Sequence, residues 1–128
     1  MFSYTATIGR NVPTFTYAER DFHQDGDRIT VSAPMSDERW VTFEGQVSAL
    51  IASFARTWMA GTDVVELHRG KGVWNGVEEE STKVTLLTEM ELGECALTDL
   101  RKALAYYALH YQQDAIALTI GQSELIEA

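Results

Sequence analysis

The chain has little of what usually staples or tethers a small protein. Cys95 is the one cysteine in 128 residues, which excludes an intramolecular disulfide and any multi-cysteine metal site. A lone thiol of this kind is expected to pack as a small apolar group, in a compartment that is most simply the cytoplasm. The two prolines, Pro13 and Pro34, fall where predicted elements begin or end. Basic side chains are scarce, 10 against 19 acidic ones, giving a net charge of −9. That balance opposes binding to nucleic-acid phosphates or to anionic lipid, both of which need a basic surface. No stretch approaches the roughly 18 apolar residues of a membrane span. The opening MFSYTATIGR has neither a basic start nor an apolar run, so no signal peptide is expected.

Motifs of familiar chemistry are missing as well. No Gly-x-Ser-x-Gly elbow occurs, and Gly70-Lys71-Gly72 joins two strand-like runs instead of opening a helix, as a phosphate loop would. His23, His68 and His110 fall on three different elements, which argues against a zinc site. Asp25-Gly26-Asp27 matches part of a calcium loop but lacks the later ligands and the bidentate glutamate. No metal and no cofactor is predicted.

What is present is an ordinary globular composition, 45% hydrophobic and 23% charged, in a chain long enough for one domain, 1–128, with its own core. Asp63 to Met90 reads as one long hairpin, because Asn75-Gly76 is the strongest short hairpin signal. A two-residue turn there sets the register: Trp74 faces Val77, Lys71 faces Glu80, His68 faces Lys83, Leu67 faces Val84 and Val65 faces Leu86. Alternation then places Val65, Leu67, Val84 and Leu86 on a core face, and Glu66, His68, Lys83 and Thr85 on the other. Gly70 and Gly72 could bulge the hairpin and shift that register by one.

Phe2 to Ile8 alternates as a half-buried first strand, ended by the loop Gly9 to Pro13. Residues 14–33 read as an inserted hairpin turning at Asp25-Gly26-Asp27. Ser36 is the expected N-cap of a first helix, with Asp37-Glu38 in its favourable first turn. Its apolar stripe is Trp40, Phe43, Val47, Leu50, Ile51, Phe54 and Trp58, with Arg39, Glu44 and Arg56 off it and Gly61 as the stop. A second helix starts at Glu94 or Thr98 and runs to about Gln112, burying Leu97, Leu100, Leu104, Ala108 and Tyr111. Asp114 to Ile120 is the last strand and 121–128 a tail.

The inserted hairpin aside, the order is strand, helix, strand, strand, helix, strand. This predicts an α+β, ferredoxin-like βαββαβ antiparallel sheet with two helices on one face. The other face, carrying Thr5, Thr7, Glu66, His68, Lys83, Thr85, Ala117 and Thr119, is left for a second copy or a ligand.

Several short motifs in order also resemble a family of small bacterial proteins of unknown function, often exported. They are Gly9-Arg10, the helix opening Ser36-Asp37-Glu38-Arg39-Trp40, Thr62-Asp63-Val64-Val65, Gly72-Val73-Trp74, Glu80-Ser81-Thr82-Lys83-Val84 and Tyr111-Gln112-Gln113-Asp114-Ala115-Ile116. The chain departs from that pattern in lacking an export signal and in carrying the extra hairpin. The resemblance implies no activity; it singles out Arg10, Trp74, Glu80, Lys83 and Gln113.

Three functional expectations follow. The first is a non-enzymatic binding or self-association module, a homodimer or a complex with another protein, using the open sheet face and the tip near Trp74. The second is a small enzyme or ligand-binding barrel of two copies, with His68, Glu66 and Lys83 lining the enclosed space; against it, one histidine without an orienting partner seldom makes an enzyme. The third is an acidic inhibitor or mimic aimed at a basic partner, supported only by the cluster Glu78-Glu79-Glu80. Candidate binding residues are Arg10, Glu66, His68, Trp74, Glu80, Lys83 and Gln113.

Overall fold

In the computed structural model, strand β1 (Phe2–Gly9) lies inside a four-stranded antiparallel sheet with β4 (Val64–Trp74), β5 (Val77–Thr88) and β6 (Ala117–Gln122), in the order β4-β5-β1-β6. Strands β2 (Asn11–Ala18) and β3 (Arg28–Pro34) pair separately as a two-stranded sheet. Helices α1 (Asp37–Trp58) and α2 (Glu94–His110) are the α-helices among the described residues. The structure describes residues 1–18, 28–58, 64–74, 76–122, 124 and 126. The expected turn at Asp25-Gly26-Asp27, His23, the stop at Gly61 and the turn residue Asn75 lie outside them, as does the side chain of Trp58.

The fold is therefore α+β, but it does not follow the expected ferredoxin-like βαββαβ order as such, since the six strands of the described residues form two sheets. The stretch Gly9 to Pro13, expected as a loop, is largely strand. Only Arg10 bends, and Asn11, Val12 and Pro13 already pair with Pro34, Ala33 and Ser32. Pro13 fits because it sits where the register shifts, beside Phe15, and lacks the N–H a regular ladder would need.

Alternation decides which side of the sheet is covered. Tyr4, Ala6 and Ile8 of β1 and Thr82, Val84, Leu86 and Thr88 of β5 are fully buried. They pack with Trp40, Phe43, Val47, Ile51 and Phe54 of α1 and Ala96, Leu100 and Leu104 of α2. Ser36 Oγ accepts the Arg39 amide at 3.3 Å, so α1 starts where its capping residue predicts. Helix α2 ends with Tyr111 stacked on Phe43, ring centroids 4.2 Å apart, which locks the two helices together.

The observed β4–β5 register is the expected one. It runs unbroken from Val64 opposite Leu87 to Trp74 opposite Val77, so neither Gly70 nor Gly72 introduces a bulge. Gly76 has φ 77°, the left-handed value that the second position of a type I′ turn requires.

Further expectations need correction. Of the expected core face of the hairpin, Val84 and Leu86 are fully buried, but Val65 and Leu67 are 36% and 38% exposed, because β4 is the edge strand of the sheet. Cys95 is exposed, because the buried line of α2 runs through Ala96, Leu100 and Leu104 and leaves its neighbour facing out. Glu44, expected off the stripe of α1, is buried. Lys71 faces Glu80 in register, but its ammonium meets Glu78 at 3.4 Å, since Glu80 is taken by Arg10. The last strand begins at Ala117 and includes Gly121 and Gln122, because residues 113–115 turn aside to make contacts described next.

Candidate functional site

The end of β1 is where the fold concentrates its polar contacts. Arg10 forms the corner between β1 and β2, and its backbone N–H donates to Glu80 O at 2.9 Å. Its guanidinium donates three ways: Nε to Met35 O at 2.9 Å, one terminal nitrogen to Glu80 and the other to Asp37, each at 2.5 Å. The arginine thus ties the hairpin β4–β5 to the start of α1 through a planar fork that lysine could not reproduce. On the opposite side of the strand, Gln113 Oε1 accepts the Gly9 amide at 3.3 Å and its Nε2 donates to Asn11 O at 3.4 Å. The side-chain amide stands in for a neighbouring strand at the point where β1 has none.

Gln113 reaches that position because α2 ends in a tight cap. Gln112 takes φ 56°, its N–H donates to Leu109 O at 3.2 Å, and the Gln113 N–H donates to Ala108 O at 2.8 Å. This is the paired bonding of a Schellman cap, with glutamine in the place that glycine usually fills.

The β4–β5 hairpin extends past the end of β1, and its tip reaches the segment before β6. Trp74 Nε1 donates to Asp114 Oδ2 at 3.1 Å, joining the hairpin tip to the segment before β6. Between them lies a cleft of about 630 Å³. Its floor is cut low by small side chains, Gly9, Gly72, Ser81 and Ala117, and its walls include Trp74, Val77, Gln113, Asp114 and Asn11. Glu79 leans over Gly9, where a Cβ would overlap its carboxylate, and accepts the Asn11 amide at 2.9 Å. Lys83 lines the cleft on the open-face side of β5.

The sequence-derived candidates thus divide. Arg10, Trp74, Glu80, Lys83 and Gln113 gather around the end of β1. Glu66 and His68 lie further along β4, on the same open face as Lys83, with His68 Nε2 3.1 Å from Glu66 Oε2. In register, His68, Lys83, Thr7 and Ala117 form one row across the sheet, and Glu66, Thr85, Thr5 and Thr119 the next. Thr5 and Thr85 hydroxyls bond each other at 2.8 Å, so this face is a hydroxyl-lined surface. Among the described residues, no three His, Cys, Asp or Glu side chains come together to hold a metal ion.

One charged group escaped the sequence reading. Glu44 accepts Arg69 Nε at 2.8 Å, an Arg69 terminal nitrogen at 3.2 Å and Thr82 Oγ1 at 2.5 Å. Burial raises its pKa, and the bonds from Arg69 and then Thr82 outweigh that and hold the carboxyl below its ordinary value. The signal was available: Trp40, Glu44, Val47 and Ile51 follow helical spacing, and only the residue type hid the position.

Among known proteins, the chain matches no family model, no curated protein and no solved structure. No described helix is long and apolar enough to cross a membrane.

Proposed function

We propose that the chain is a non-enzymatic binding module on a ferredoxin-like sheet, with the hairpin β2–β3 as an addition, and that the open face receives its partner at the cleft beneath Trp74. The observation behind this is the cleft itself. Both helices lie on one side of the sheet, and on the other side small residues at four floor positions leave a depression of about 630 Å³. Concave, partly apolar depressions with a few converging polar groups are where small molecules and side chains dock. The polar row Glu66, Thr85, Thr5 and Thr119 beside it suits recognition by hydrogen bonds better than the large apolar burial of an obligate dimer. His68 is paired with Glu66 at 3.1 Å, but both lie outside the cleft lining, so among the described residues the cleft itself holds no oriented imidazole, which an enzyme reading would need.

The test is a fragment screen on 15N-labelled protein, with amide shifts as the readout. Hits are expected to move Gly9, Gly72, Ser81 and Ala117, and to be lost in Ser81→Trp, which fills the floor. Hits confined to the outer surface of α1 and α2, or unaffected by Ser81→Trp, overturn the reading. Sedimentation of the same samples shows whether a second copy occupies the face.

A further inference from the structure

We infer that the cleft takes a small amphiphilic monoanion, a carboxylate carried on a flat or aliphatic body, with Lys83 as its charge partner and Trp74 as its apolar wall. This rests on the reading of the cleft as a binding site and names what enters it.

Most charged groups around the cleft are already engaged. Glu79 is held by the Asn11 amide and Asp114 by the Trp74 indole N–H. The Lys71 ammonium turns to Glu78. Lys83 has no acidic group within ion-pairing distance among the described residues, and its register neighbours are His68 and Thr7 rather than a carboxylate. In a chain of net charge −9, an unpaired ammonium beside a recess is a local exception to a field that repels anions. A carboxylate there gains a charge-assisted hydrogen bond in a partly enclosed site. The nearby carboxylates of Glu79 and Asp114 remain negative, so a second anionic group on the ligand would meet repulsion. One charge fits; two do not.

The rest of the ligand is set by the hairpin tip. Val73, Trp74 and Val77 are 71%, 48% and 53% exposed, an apolar group standing free at the mouth. The bond to Asp114 fixes the indole in place, so its face is presented ready-formed. Glycine at position 72 lets a flat body lie close to the sheet backbone, whereas the space above Gly9 is taken by the Glu79 carboxylate. A body without charge, aromatic or short-chain aliphatic, would cover these surfaces.

Benzoate and its neutral isostere benzamide test the inference by 15N shift titration against the full chain. Benzoate is expected to bind about tenfold tighter than benzamide, the equivalent of one charge-assisted contact. Lys83→Met should erase that difference, with the fold, followed by circular dichroism, unchanged. Raising sodium chloride should weaken benzoate only. Phthalate, with two carboxylates, should bind less well than benzoate. Equal binding of benzoate and benzamide at the cleft overturns the anion assignment while the binding-module reading stands. So does undiminished benzoate affinity in Lys83→Met. Failure of either probe to reach the cleft, with other fragments still seated there, also overturns it; an open face that takes no fragment removes both readings.

Discussion

Replacing Thr82 with valine isolates one contact of the buried Glu44 cluster. Thr82 is fully buried and its hydroxyl donates to Glu44 Oε2 at 2.5 Å. Valine keeps the shape and removes the donor. A hydrogen bond to a charged acceptor contributes about 1.5–3 kcal/mol. Two effects reduce the loss: Glu44 keeps both Arg69 bonds, and the new methyl group recovers part of the ~0.8 kcal/mol that a buried carbon gives. The expected destabilisation is about 1.5 kcal/mol at pH 7, a shift in urea midpoint at unchanged slope. In a thermal melt it amounts to roughly 5 °C for a domain of this size.

The pH dependence carries the stronger test. A carboxyl whose folded pKa is depressed contributes stability that is present above its unfolded pKa and is lost as pH falls through the folded one. Glu44 is such a group, its burial outweighed by Arg69 and Thr82. Removing Thr82's donor raises the folded pKa, so the variant takes up its proton earlier as the solution is acidified. The gap between the two proteins is then full at pH 7 and narrows as the pH falls below the ordinary carboxyl range toward the depressed folded pKa. Urea unfolding at pH 7 and pH 3 measures it. A gap below about 0.5 kcal/mol at pH 7, the range of an ordinary surface substitution, or one equally wide at pH 3, would refute the reasoning.

Three further outcomes are expected. Gln112→Gly relieves a left-handed residue at φ 56° and should raise stability by about 0.5–1 kcal/mol, read from the thermal midpoint; a fall would show that the Gln112 side chain contributes more than the strain costs. Gly9→Ala places a Cβ on the Glu79 carboxylate, so the carboxylate should leave the Asn11 amide, at a cost of about 1 kcal/mol, and that amide should exchange faster with solvent. An unchanged Asn11 exchange rate would sink the proposed contact. Trp74→Phe keeps a ring at the cleft but loses the bond to Asp114; amides near Val73 and Val77 should exchange faster while global stability moves by less than about 0.5 kcal/mol. Equal protection in both proteins would mean that the indole N–H does not hold the tip.

By itself, the sequence determined the periodic parts. Asn75-Gly76 together with alternating strand residues set the β4–β5 register, and Ser36 with Asp37 and Glu38 set the start of α1, because turn geometry and capping are local. Of the five positions singled out by ordered motifs, Arg10, Glu80 and Gln113 bond at the end of β1, while Trp74, Lys83 and Gln113 line the cleft beside it. What tertiary structure alone decided was how those residues spend their hydrogen bonds. Arg10 and Glu80 bind each other, and Gln113 completes the ladder at Gly9 and Asn11. Lys83 is left facing the cleft. Glu44 is buried because Arg69 and Thr82, each far away in sequence, face it across the core. Hydrophobic period and turn signals act over a few residues and are written in order along the chain. Pairing among charges separated by 25 to 70 residues depends on the closed sheet, and no local pattern records it.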